Sequence, residues 1–61
     1  MDDFTKEELE EALRAITSVI RKCEKVQEHT AQGTPQYTLL RNRLKALRIS
    51  SALITKALED S

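Results

Sequence analysis

The residues of this sequence with the most specific chemistry are its single cysteine, Cys23, and its single histidine, His29. One cysteine cannot form a disulfide within the chain, and one cysteine with one histidine cannot complete a structural zinc site. Cys23 falls among apolar residues at helical spacing, which favours a small buried hydrophobic residue over a reactive thiol, because a reactive thiol needs an electropositive, partly exposed setting. His29 lies near the end of a predicted helix, where a cation suits the helix dipole, and this role is favoured over a metal or pH-switch role.

The acidic side chains at the start of the chain are the next candidates for chemistry. Glu7, Glu8, Glu10 and Glu11 follow one another within five residues. Catalysis by a pair of carboxylates needs a cleft between elements, whereas a run of acids at a helix start is typical of a solvated face. We therefore predict a protein that is not an enzyme and that binds no cofactor or metal.

A basic run in the second half of the chain is the most distinctive pattern. Arg41, Lys45 and Arg48 are spaced to share one face of a helix, and cations so early in a helix oppose its dipole. They could bind the phosphates of RNA or DNA, or they could pair with acids on another protein. The formal net charge of zero and the expected lack of exposed aromatic residues for base stacking favour protein pairing or a solvated face and keep nucleic acid as the alternative.

These residues are carried by two predicted helices, and the first begins with a strong signal. Thr5 and Glu8 have the spacing of a capping box, and Phe4 and Leu9 that of a hydrophobic staple. Apolar residues then recur every three or four positions, which predicts a helix over about 5–32 that stops before Gly33. The apolar arc is predicted to face the second helix and contains Leu9, Leu13, Ile16, Val19, Ile20, Cys23 and Val26.

The second helix is predicted over 35–59. Thr34 fits its N-cap and Pro35 its first position, where a missing N–H does no harm. Because the connection is so short, the two helices must form an antiparallel hairpin, and the chain, 1–61, is predicted to be a single all-α domain. The main apolar stripe, predicted to complete the core within the hairpin, contains Tyr37, Leu40, Leu44, Leu47, Ile54 and Leu58.

A second stripe on the same helix predicts self-association. It is turned by about 110° from the first and consists of Leu39, Ala46, Ser50, Leu53 and Ala57. Two stripes require two neighbouring helices, and a lone hairpin supplies one. A chain of 61 residues also buries little surface by itself. We therefore expect a homo-oligomer, first of all a dimer that forms a four-helix bundle.

The distribution of charge predicts how two hairpins are oriented. Residues 1–30 contain eight acids and five bases, whereas residues 31–61 contain five bases and two acids. Acidic and basic helix starts come together when the two loops lie at opposite ends of the bundle. In that arrangement Arg43, which falls between the two stripes, is predicted to lie near Glu8 or Glu11 of the second chain.

The expected setting and role follow from these observations. The N-terminal sequence MDDFTKEELEE is acidic and lacks the apolar centre of a signal peptide, and no apolar run approaches the length of a membrane span, so we expect a cytoplasmic protein. The leading hypothesis is a small adaptor, regulator or structural subunit that binds a second copy, with another, unidentified protein as a further candidate partner. The alternative is a nucleic-acid-binding regulator that uses the basic face of the second helix.

Overall fold

Two α-helices packed side by side form the molecule. The computed structural model describes residues 4–60, in which α1 (Lys6–Glu28) and α2 (Pro35–Glu59) contact each other along their lengths. The connection of residues 29–34 reverses the chain direction, and the hairpin measures 41 × 16 × 15 Å. The predicted all-α hairpin is confirmed.

The start of α1 has the predicted capping box. The Glu8 backbone N–H donates to Thr5 Oγ1 at 3.1 Å, and the Thr5 backbone N–H donates to Glu8 Oε1 at 2.9 Å. Two amide groups that the helix cannot pair internally are thereby satisfied, which fixes the first turn.

The end of α1 differs from the prediction, because the helix stops at Glu28 and not near residue 32. His29 is the C-cap, and its backbone N–H donates to the Val26 carbonyl at 3.1 Å. The Thr30 hydroxyl donates to the same carbonyl at 2.7 Å, so the last turn is closed without glycine. Gly33, with φ +86°, lies in the turn that leads into α2 and supplies a positive φ there.

The start of α2 follows the prediction. The Tyr37 backbone N–H donates to Thr34 Oγ1 at 3.2 Å, and Pro35 is the first helical residue. The Thr34 hydroxyl also donates to the Ala31 carbonyl at 2.8 Å. One side chain therefore caps α2 and ties it to the connection.

The core is a single seam between the helices. Cys23, Leu40 and Leu44 are its buried residues within the described part of the chain, and Leu44 is 1% exposed. Half-buried residues extend the seam in both directions: Leu9, Leu13, Ile16, Ile20, Tyr37, Leu47, Ile54 and Leu58.

Two valines predicted for this core do not lie in it. Val19 and Val26 remain 41% and 48% exposed. The reason is geometric, because the apolar arc of α1 is broader than the strip that one neighbouring helix can cover. The sequence pattern identified the apolar arc but assigned all of it to one neighbour.

The seam predicts a large effect of truncating its central residue. Leu44→Ala should lower the free energy of unfolding by about 2–5 kcal/mol, because it opens a cavity at the most deeply buried side chain of the seam. Ile49→Ala is the matched control, since Ile49 is 53% exposed and its change should stay within about 0.5 kcal/mol. Urea unfolding followed by circular dichroism at one fixed protein concentration measures both. Equal losses for the two variants would contradict this description of the core.

Candidate functional site

The hairpin exposes large apolar side chains on both helices. Val19 and Val26 on α1 are joined by Leu39 and Leu53 on α2, which are 61% and 59% exposed. Ala46 lies between the two leucines and is exposed as well. We call these five residues the apolar face.

An ion pair marks the opposite side of the hairpin. Arg48 Nη2 of α2 lies 2.8 Å from Glu24 Oε2 of α1, so both side chains project towards the same side. At about 100° per residue, Val19 and Val26 lie roughly 140° and 160° around α1 from Glu24. We call the side with the ion pair the polar face.

The second helix shows the same division. Leu39 and Leu53 lie about 180° and 140° around α2 from Arg48. Because the core fills the space between the helices, Val19, Val26, Leu39 and Leu53 project from the side opposite the ion pair. The apolar face is therefore one surface made by two adjacent helices.

An open pocket lies at the end of this face that is remote from the loop. It has a volume of about 210 Å³ and is lined by Phe4, Glu8, Leu9 and Ala12 together with Ile54 of α2. We call it the Phe4 pocket. Phe4 and Leu9 both line the pocket, which agrees with the spacing of the predicted hydrophobic staple. Glu8 lines the pocket through the hydrocarbon part of its side chain, while its Oε1 accepts from the Thr5 backbone N–H.

The Phe4 pocket belongs to the apolar face by helical geometry. Glu8, Val19 and Val26 fall within about 20° of one line along α1. Arg43 and Ile54 fall within about 20° of one line along α2. Arg43 therefore projects from the same side of the hairpin as the pocket, and it is exposed.

The predicted interface residues are distributed around this face. Glu11 is turned about 60° further from α2 than Glu8 and lies on the outer side of α1. Of the predicted interface residues, Leu39, Arg43, Ala46, Leu53, Glu8 and Glu11 are exposed, and Ser50 and Ala57 are half-buried. From α1 the sequence predicted Glu8 and Glu11 for the interface, but not the exposure of Val19, Val26 and Phe4, although the width of the apolar arc was a signal for it.

Three basic residues of α2 lie on the polar face, together with Glu24 of α1. Arg41 and Lys45 are exposed and lie within about 60° of Arg48, which is paired with Glu24. An open groove on this face has a volume of about 590 Å³ and is lined partly by Glu10 and two arginines, Arg14 and Arg21. The polar face thus carries charges of both signs.

The remaining candidate groups have structural positions. The Cys23 thiol is free and buried, and His29 caps α1. Among residues 4–60, no group of three histidine, cysteine or acidic side chains is placed to hold a metal ion. Neither helix, over the same described residues, is long and apolar enough to cross a membrane.

Comparisons with protein-family models, with curated proteins and with solved structures found no match to this chain.

The ion pair on the polar face should contribute little to stability. Its side chains are 58% and 46% exposed, so solvent screens their attraction. A double-mutant cycle with Arg48→Ala and Glu24→Ala should give a coupling energy of about 0.2–1 kcal/mol in urea unfolding. A coupling well above 1 kcal/mol would mean that the pair is shielded from water.

Proposed function

We propose that the protein is a non-enzymatic, cytoplasmic interaction module that acts as a homodimer, in which two hairpins pack through their apolar faces into a four-helix bundle. The observation that carries the proposal is the apolar face, to which both helices contribute exposed residues. Exposed apolar residues on one side of a small protein are typical of an interaction site.

The hairpin exposes more surface than a compact protein of its mass. The accessible surface of the chain is 4946 Å². A compact monomer of 7.0 kDa is expected to expose about 4,000 Å². The elongated hairpin thus exposes about 900 Å² more than a compact fold, which leaves room for an interface of standard size, roughly 800 Å² on each partner.

The shape and residue types of the face support a second copy as that partner. Two adjacent helices form a ridged surface that another pair of helices of the same length, 23 and 25 residues, can cover completely. Ala46, Ser50 and Ala57 are small and lie on the side of α2 that would meet the other hairpin, so the helices can approach closely. A face that is its own complement is what a two-fold symmetric dimer requires.

The polar faces would point outwards from both sides of such a dimer. Arg41 and Lys45 would then be available to acidic side chains of a further protein, which is the proposed adaptor role. The acids on the same face, among them Glu24 and Glu10, oppose a general affinity for polyanions.

Dimerisation through the apolar face gives a direct test. The chain at micromolar concentration should have twice the 7.0 kDa mass in size exclusion with light scattering. Leu53→Glu should raise the dimer dissociation constant at least about ten-fold, because a carboxylate would be buried without a partner. Val19→Glu, which places a carboxylate on the α1 part of the apolar face, should raise the dissociation constant by a similar factor.

A matched control is available at the next residue. Ala52 is exposed and projects about 100° away from Leu53 towards the polar face, so Ala52→Glu introduces the same charge outside the interface. It should leave the dissociation constant within about two-fold of the parent. A folded monomer, or a dimer unaffected by both apolar-face variants, would contradict the proposal.

The nucleic-acid alternative predicts a different result. On the proposal made here, RNA and DNA should bind no more tightly than micromolar at about 150 mM salt, and Arg41→Ala with Lys45→Ala should change dimerisation little. Fluorescence anisotropy with labelled RNA and DNA at two salt concentrations measures this binding. Sub-micromolar binding that is lost in the double variant would favour the alternative.

A further inference from the structure

We infer that the Phe4 pocket receives the Arg43 side chain of a second copy, and that this exchange, made twice, sets the two loops at opposite ends of the dimer. The inference rests on the proposed homodimer and specifies its geometry. It assigns a binding role to the Phe4 pocket and to the exposed Arg43 side chain.

The contents of the pocket match an arginine. Phe4, Leu9, Ala12 and Ile54 offer apolar surface, and Glu8 adds the hydrocarbon part of its side chain. The Glu8 carboxylate lies beside the pocket, where its Oε1 accepts from the Thr5 backbone N–H. An arginine has an apolar stem that packs on such surface and a guanidinium that pairs with a carboxylate at its edge. The second carboxylate oxygen of Glu8 is not needed for the capping box, which uses Oε1.

The Arg43 guanidinium is unpaired within the described part of the hairpin. Among residues 4–60 it makes no ion pair or side-chain hydrogen bond, whereas Arg48 on the polar face pairs with Glu24. Arg43 projects from the same side of α2 as the apolar face. A charge covered there without a partner would weaken the dimer, so a partner has to come from the second copy.

The positions along the helix axis decide the orientation. Arg43 and Ile54 are eleven residues apart, which is about 16 Å along α2. Their midpoint falls at residues 48–49, within two residues of the middle of Pro35–Glu59. A two-fold axis across the middle of the bundle therefore places each Arg43 over the pocket of the other copy while the hairpins overlap almost fully.

A dimer with both loops at one end is disfavoured by the positions of the same residues. If both loops lay at one end, each residue would meet the same level of the other copy. The two Arg43 side chains would then approach each other, and each pocket would face a pocket. Like charges at an interface disfavour such pairing, and the pockets would lack a side chain to fill them.

The first experiment is a double-mutant cycle on the dimer dissociation constant, measured by sedimentation equilibrium. Glu8→Gln keeps the capping box, because glutamine also serves at that position, and removes only the charge. It should weaken the dimer about three- to ten-fold in the parent and hardly at all in the Arg43→Gln background. Glu11→Gln, one turn along on the outer side of α1, and Arg41→Gln, on the polar face, are the controls and should have no effect.

The second experiment measures orientation. Spin labels attached in a Cys23→Ala, Gln32→Cys variant report the distance between the two connections by pulsed electron spin resonance. Loops at opposite ends give a distance close to the 41 Å length of the hairpin, and loops at one end give a distance below about 20 Å.

The results separate the inference from the proposal on which it rests. A long distance with coupling between Glu8 and Arg43 supports the inference. A dimer with a short distance, or without that coupling, overturns the inference and leaves the proposed homodimer standing. A parent chain that stays monomeric at all concentrations overturns both.

Discussion

The structure depends on the fact that each helix has a single neighbour. Two helices in contact share one seam, and in this hairpin the seam buries Cys23, Leu40 and Leu44 in the described part of the chain. A seam of this width uses about one third of the circumference of each helix. Both helices carry apolar residues over a wider arc, so the remainder is exposed, most of it on the apolar face.

The capping interactions determine where this seam begins and ends. His29 and Thr30 close the last turn of α1 on the Val26 carbonyl, and the Thr34 hydroxyl caps α2 while it donates to the Ala31 carbonyl. Because both ends of the connection are held, the register between α1 and α2 is set locally. The apolar residues of the two helices then fall on one common side as a consequence of that register.

The sequence predicted these features unevenly, for physical reasons. The caps at Thr5 and Thr34 involve residues three positions apart, so a local pattern identifies them. The end of α1 was misplaced, because Gly33 was interpreted as its stop while Thr30 and His29 close the last turn on Val26. The division of the α1 arc between two neighbours depends on the angle at which α2 packs, which periodicity along one helix does not contain.

Charged residues within an apolar face can select one orientation of the dimer. Ridges of apolar residues repeat about every turn, so two such faces can slide past one another by a turn, or reverse, with little change in buried area. Glu8 and Arg43 do not repeat in this way, and they lie on either side of the middle of the hairpin. An ion pair of this kind adds little to affinity, but leaving its members covered and unpaired is unfavourable in other registers. Apolar area therefore provides the association, whereas the positions of two charges select one orientation from several of similar area.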